Sequence, residues 1–249
     1  MKSRLLLGLV SALVLVVSLV STAPARLLGA FLPGDSVVMQ GFHGTLWRGS
    51  ASRVLVHIGP GYLHLGTVKW SLRPSSLLLF APHLEIESRW GRQRLEGELI
   101  FRGVQDLEMR DFDFSFAAGL VRHFAPVELE GTLGAQFTAL RLLDGLPHSA
   151  DGRLVWQQAV WLSPMGARPL GTYAVDVRQD PGETLAGQVQ TLSGPIEASG
   201  SVELTGAAYR VDILVAAQGA FEPQLQQALS LVASPRGDDF QLVLDGEFQ

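Results

Sequence analysis

"EMRDFDFSF", Glu108 to Phe116, decides how the chain is read. Successive side chains of a strand point to opposite faces, so Phe112, Phe114 and Phe116 share one side while Asp111, Asp113 and Ser115 share the other. The same alternation recurs on both sides of this stretch. In "HLEIES", Leu84 and Ile86 oppose Glu85 and Glu87; in "AYRVDILV", Tyr209, Val211, Ile213 and Val215 oppose Arg210, Asp212 and Leu214. One apolar and one wet face is the pattern of an antiparallel sheet. Glycine (27 residues) and proline (13) supply turn sequences such as Asp180–Gly182 and Pro235–Asp239. Only Ala117–Phe124 and Glu222–Ala233 read as helix. In the second, Pro223 suits a first turn, and Leu225, Ala228, Leu229 and Val232 share a face.

An apolar–x–Gly–x–apolar unit recurs among these strands, centred on Gly44, Gly97, Gly131, Gly152, Gly187, Gly200 and Gly246. The glycine lies on the same face as its apolar neighbours two positions away, so the missing side chains fall on the buried face. Glycine inside a strand marks a bulge, a bend or a close approach, and a series of such notches lets a sheet coil inward. The expected fold is therefore mainly β: an N-terminal transmembrane helix, then a curved, mostly antiparallel sheet domain with one or two short helices.

The transmembrane expectation comes from Leu5–Ala23, 19 residues without a charge behind Lys2 and Arg4. As a helix rising about 1.5 Å per residue, the run comes close to the ~30 Å hydrocarbon core of a bilayer. The positive-inside rule keeps Lys2 and Arg4 in the cytoplasm and sends the rest across. A cleaved signal peptide is the alternative, with "STAPA" as its cleavage region, but its apolar stretch is usually shorter, about 7–15 residues. The expected division is residues 1–25 as cytoplasmic tip and anchor, and 26–249 as a β-rich domain outside the cytoplasm.

Little in the sequence points to chemistry. Net charge is −5, and −7 (17 basic, 24 acidic) once Lys2 and Arg4 are set aside, a poor surface for nucleic acid. Cysteine is absent, which removes disulfides, thiolate metal sites and cysteine nucleophiles. The six histidines (43, 57, 64, 83, 123 and 148) have no helical metal spacing. There is no G-x-S-x-G elbow and no phosphate-cradling G-x-x-x-x-G-K, and "GPG" at Gly59–Gly61 lacks the third glycine of a dinucleotide loop. Asp111 with Asp113, and Glu85 with Glu87, read as solvated faces rather than acid–base pairs. No catalytic, cofactor or metal residue is assigned.

The most distinctive stretch is "GTLWRGSA", Gly44 to Ala51. Thr45, Leu46 and Trp47 suit the end of one strand, Gly49 and Ser50 a turn, and Ala51 the start of the next strand. Trp47 is expected to close one end of the core, with Arg48 outward. Preceded by "LPG" (Leu32–Gly34) and an alternating strand, all just after an apolar N-terminus, this motif resembles that of type II secretion system protein N, also called general secretion pathway protein N. "VKWSLRP" resembles that family's W-x-L-x-P element, at Trp70, Leu72 and Pro74. "DGRLVWQQA" resembles its G-x-x-x-W-x-x-A element, at Gly152, Trp156 and Ala159. "LGTYAVDV" (Leu170–Val177) and the ending "DGEF" (Asp245–Phe248) also fit. The family motif thus falls on Gly44, Thr45, Leu46, Trp47, Gly49, Ala51, Trp70, Leu72, Pro74, Gly152, Trp156 and Ala159.

The resemblance implies a single-pass inner-membrane protein of Gram-negative bacteria with a periplasmic domain. It implies a non-enzymatic accessory role, without cofactor, in exporting folded proteins across the outer membrane, with the other subunits of that system and the inner membrane as partners. The one-face-apolar strands are also similar to AsmA-like envelope proteins with curved sheets. That likeness leaves a second reading, a lipid- or hydrophobe-binding envelope protein; a fold likeness alone says little about function.

Overall fold

In the computed structural model the described residues are 11, 14–31, 37–58, 61–77, 80–123, 128–163, 165–179 and 184–248. The chain is mainly β, with antiparallel strands and few short helices. It divides into two compact units, Met1–Trp90 and Gly91–Gln249. Residues 1–10 and 12–13 of the expected anchor region, and the turn sequences Leu32–Gly34 and Asp180–Gly182, lie outside the described residues. Among those described, residues 14–21 are helical, and no helix is long and apolar enough to cross a membrane.

The first unit carries the helix Arg26–Phe31 and four strands in chain order, β1 (Val37–Gly44), β2 (Arg48–Ile58), β3 (Gly61–Leu72) and β4 (His83–Trp90). Its core is Ala25, Ala51, Val54, Val68 and Trp70, with Leu28, Met39, Phe42, Leu84 and Ile86 packed around them. These residues meet because register lines them up: Phe42 pairs with Ala51, Ala51 with Val68, Gly49 with Trp70, and Trp70 with Ile86.

The second unit is an antiparallel meander. Its strands are β5 (Gln93–Phe101), β6 (Asp106–Ala117), β7 (Leu129–Leu143), β8 (Leu146–Ser163), β9 (Gly166–Gln179), β10 (Thr184–Ser193), β11 (Ile196–Thr205), β12 (Ala208–Ala217), β13 (Ser234–Arg236) and β14 (Asp239–Glu247). They lie side by side in chain order until β12, which is followed by β14 and then by β13. Asp144-Gly145 joins β7 to β8 with positive φ at both residues, 53° and 79°, as a two-residue hairpin turn demands. Of the two helices expected here, Ala118–His123 is 3-10, and Pro223–Val232 is α-helical with Pro223 in its first turn. Leu225, Ala228 and Leu229 are half-buried, but Val232 is exposed: the chain leaves the helix at Ala233 before that residue can reach the sheet.

Apolar residues run across this sheet in a line. Leu95 pairs with Phe114, and the row continues through Ala135, Leu154, Val175, Val189, Gly200 and Ile213 to Leu242. One residue along the strands runs a polar row on the other face. In it Gln136 donates to Asp113 (2.9 Å) and Arg153 grips Asp176 through two bonds (2.5 and 2.8 Å), while Gln241, which pairs with Leu214, reaches diagonally to Asp212 (2.8 Å). The expected shared face of Phe112, Phe114 and Phe116 is present, with ring centroids 6.1 and 5.5 Å apart. The strict alternation through Asp111 needs correction. Asp111 has φ 46° and forms a bulge opposite Gly97, where the β5–β6 register shifts. The extra residue brings Met109, which pairs with Leu99, onto the face of Phe112 and Phe114.

The recurring glycines act as notches. A Cβ at Gly97 would stand 2.6 Å from the Phe112 ring, one at Gly152 would stand 2.5 Å from the Phe137 ring, and one at Gly246 would stand 2.6 Å from the Tyr209 hydroxyl. In each case a ring from the neighbouring strand lies over the glycine, and at Gly152 the Gln136 backbone carbonyl is nearer still. Gly152 has ordinary negative-φ backbone, so there the need is for space alone. Gly152→Ala is therefore expected to cost about 1–3 kcal/mol, the usual penalty for overpacking. Gly134→Ala, whose Cβ would meet nothing closer than the Phe114 carbonyl at 3.7 Å, should be near neutral. Urea unfolding of the two detergent-solubilised variants measures the difference.

Candidate functional site

"GTLWRGSA" folds as a hairpin end, with its turn placed differently from the expectation. Strand β1 ends at Gly44 and β2 begins at Arg48, so the turn is Thr45–Trp47, while Gly49 and Ser50 lie inside β2. The threonine explains the shift. Thr45 N–H donates to the Arg48 carbonyl (2.9 Å), and its hydroxyl oxygen accepts from Arg48 N–H (3.1 Å), which closes the turn on itself. Gly49 stays in the strand because Trp70, its partner on β3, needs the space: a Cβ at Gly49 would stand 2.5 Å from the indole.

Trp70, not Trp47, closes the core. It is 4% exposed, its Nε1–H donates to the Leu46 carbonyl (3.0 Å), and Phe42 meets it edge-on at 6.3 Å. The backbone N–H of Leu72 donates to the Trp47 carbonyl (2.7 Å), and Pro74 opens the short helix Pro74–Leu77. Two motifs more than 20 residues apart in sequence are thus one structural unit: the tryptophan of W-x-L-x-P packs on the glycine and carbonyl of the GTLW turn. Ala51, fully buried, completes the floor beside Val68.

Trp47 points away from that core. Its Nε1–H donates to the carbonyl of Val20 (2.8 Å), at the end of the helical stretch 14–21. Leu46 N–H donates to the Ala23 carbonyl (2.8 Å), Ala25 N–H donates to the Gly44 carbonyl (3.2 Å), and Pro24 bridges Thr45. Residues 20–25 are therefore strapped to the hairpin end, and Ala25 is only 2% exposed. The sequence pattern places Trp47 in the core; the indole N–H instead bonds the helix-terminal Val20 carbonyl, which also accepts from Ala23 N–H (3.2 Å).

In the second unit, Gly152, Trp156 and Ala159 lie along β8. Gly152 takes the Phe137 ring, Trp156 donates to the Glu130 carbonyl (3.1 Å) and leans on Tyr173 (6.0 Å), and Ala159, 1% exposed, pairs with Gly171. Between Trp156 and Ala159 the register shifts, and Gln158 takes φ 50°. A recess of about 910 Å³ opens beside this bulge, lined by small residues such as Gly131, Ala159, Gly171 and Gly194 together with Arg92, Glu130 and Gln158. Burial pushes the Tyr173 phenol up to about 12, and its hydroxyl donates to the Ile196 carbonyl (3.0 Å).

Among the described residues, no three His, Cys, Asp or Glu side chains stand together as a metal site. His57 packs on Tyr62 and His64 on Trp90, and the register pairs His57 with Tyr62 rather than with His64. Glu85 pairs with Arg73 (2.6 Å) and Glu87 with Arg89 (3.0 Å). The two-point hydrogen bond from Arg141 holds the Asp106 carboxyl below its usual range, and Arg153 does the same for Asp176. Burial alone would raise Glu108, but Arg102 and Arg110 together outweigh it and the net shift is downward.

A depressed carboxylate stabilises the fold at pH values above its unfolded pKa, near 4, and that stabilisation is lost as pH falls through the lower native value. The gap in urea midpoint between the wild type and an Arg141→Met/Arg153→Met double variant should therefore be present at neutral pH and close as the solution is acidified below about pH 4. The two tryptophans should also separate. Trp70→Ala is expected to cost about 3–5 kcal/mol, as for a buried ring. Trp47→Phe should leave the thermal transition of the sheet nearly unchanged.

With this geometry in place, the comparisons with known proteins are direct. Residues 35–243 match the family model of type II secretion system (T2SS), protein N. The chain is 29% identical over 247 residues to type II secretion system protein N of Vibrio cholerae serotype O1, covering 95% of each chain. It is 30% identical over 218 residues to the protein of that name from Pectobacterium carotovorum, covering 83% of this chain and 84% of the relative. Against the Klebsiella pneumoniae protein it is 28% identical over 241 residues, covering 88% and 90%. No solved structure matches. A match that runs from the start of the strands nearly to the end of β14 is a match to the whole sheet-forming part, and the chain belongs to the type II secretion system protein N family.

Proposed function

We propose that this chain is a non-enzymatic, accessory component of type II secretion, anchored in the inner membrane through Leu5–Ala23. On this reading residues 26–249 lie in the periplasm and support export of folded proteins across the outer membrane. The observation that carries it is the family match over residues 35–243. The motif residues support a structural role, since Gly44–Ala51 and Trp70–Pro74 are used in packing one another.

An uncleaved anchor is supported by the strap on residues 20–25. In a protein cleaved within "STAPA", Trp47 and Leu46 would lose the Val20 and Ala23 carbonyls they bond. The other subunits of the system are the partners, and the outer edge of β14 is the surface best suited to receive one. Strand β13 covers only Asp239–Gln241 of that edge, and Val243, Leu244 and Phe248 beyond it are about half exposed. A free strand edge beside apolar side chains favours addition of a strand from a partner.

The second reading, a hydrophobe-binding envelope protein with a curved sheet, has one observation in its favour. The apolar face of the second unit is paved with rings that remain partly accessible, Phe114 and Phe116 among them.

The test is made in intact cells. A photo-crosslinking residue at Val243 should capture other secretion subunits, and the purified chain should retain Met1 or Lys2 at its N-terminus. Capture of lipid in place of protein would favour the second reading. A mature N-terminus near Ala25 or Arg26 would overturn the anchor.

A further inference from the structure

The geometry points to a membrane-contact surface on the first unit: the Thr45–Trp47 turn and the first turn of helix Arg26–Phe31 sit in the phospholipid headgroup layer, fixed there by the bonded end of the preceding helix. This rests on the anchor reading above, and goes beyond it by naming which part of the folded unit touches lipid.

The helical stretch 14–21 presents Val14, Leu15, Val16, Val17, Leu19 and Val20 outward, each at least half exposed. Its C-terminal carbonyls are satisfied from within the chain. Ser18 accepts from the Ser21 hydroxyl (2.9 Å) and the Thr22 hydroxyl (2.8 Å), while Val20 accepts from Ala23 N–H (3.2 Å) and Trp47 Nε1–H (2.8 Å). A helix end closed in this way can stop at the hydrocarbon boundary without drawing water to its carbonyls.

The depth of the turn then follows from distance. The Trp47 indole is one hydrogen bond from Val20, and Thr45 is bridged to Pro24. The headgroup layer is roughly 5–8 Å deep on each side of the hydrocarbon core, so groups bonded to the last helical turn lie within it. An indole with an apolar body and one donor suits that layer. Directly after the strap, Leu27 N–H donates to the Pro24 carbonyl (3.0 Å), and Leu27 is 40% exposed while Leu28 packs into the core. Arg26 beside it is exposed and can meet lipid phosphate. Tyr62, also exposed, lies at the far end of β3, about 30 Å from the turn at strand rise.

The absence of cysteine makes the test clean. The full chain carrying Leu27→Cys or Tyr62→Cys is spin-labelled and reconstituted into phosphatidylethanolamine–phosphatidylglycerol vesicles. Collision of each label with a water-soluble nickel chelate is then compared, and the vesicles are washed with alkaline carbonate. The expected result is retention in the washed vesicles, with the Leu27→Cys label shielded several-fold relative to the Tyr62→Cys label. Retention with both labels equally open to the chelate would overturn the contact surface and leave the anchor standing. Release by carbonate would overturn the anchor and the surface with it.

Discussion

Antiparallel register is the constraint on which the rest depends. A strand offers one apolar face only if every residue keeps its parity, and a sheet offers one only if neighbouring strands agree. In the second unit they agree across nine strands, from Leu95 on β5 to Leu242 on β14, with the polar row one residue away. A one-residue slip of β9 against β8 would turn Asp176 to the apolar face. The bulge at Asp111 works within this constraint: it inserts a residue where the chain needs one and restores parity at Phe112.

The glycines follow from the same rows. Adjacent to the Leu95–Leu242 row, the register places Phe112, Phe137, Gly152, Val177, Gly187 and Val202 in succession. Bulky and empty positions are mixed along one line, so rings can lie flat over their neighbours instead of standing side by side. That arrangement buries aromatic area using only the sheet's own surface. It matters in a unit whose helix Pro223–Val232 contributes no buried residue.

This explains what was legible beforehand. Parity is visible in "DFDFSF" because it is local, and so the mainly β fold, the shared face of the three phenylalanines and the helix near Pro223 could be read directly. The apolar–x–Gly–x–apolar unit was visible too, but not its partner: nothing near Gly152 in sequence names Phe137, which comes from the previous strand. The GTLW turn was misplaced for the same kind of reason. Gly49-Ser50 has turn-like composition, and the demand that keeps Gly49 in β2 comes from Trp70, 21 residues on. The sequence pattern places Trp47 in the core because large rings usually go there. Its actual partner is a backbone carbonyl 27 residues earlier, which leaves no trace in side-chain pattern.

The two tryptophans of the first unit show how one hairpin end can face two environments. On its inner side the Leu46 carbonyl accepts the Trp70 indole and Gly49 lies beneath the ring, which makes the turn rigid with respect to the core. On its outer side Leu46 N–H and the Trp47 indole N–H reach the backbone of residues 20–23. The same residue, Leu46, therefore bonds the sheet core through its carbonyl and the segment before the sheet through its N–H. Rigidity on the inner side gives the outer bonds a fixed direction, because a turn free to rock on its strands could not hold Val20 at hydrogen-bond distance. Losing Trp70 would remove both functions together. Losing the indole N–H of Trp47 would free the Val20 carbonyl alone, because Leu46 N–H, Ala25 N–H and the Pro24–Thr45 bridge still tie residues 23–25 to the turn, so this side chain outside the core acts only on the last helical turn.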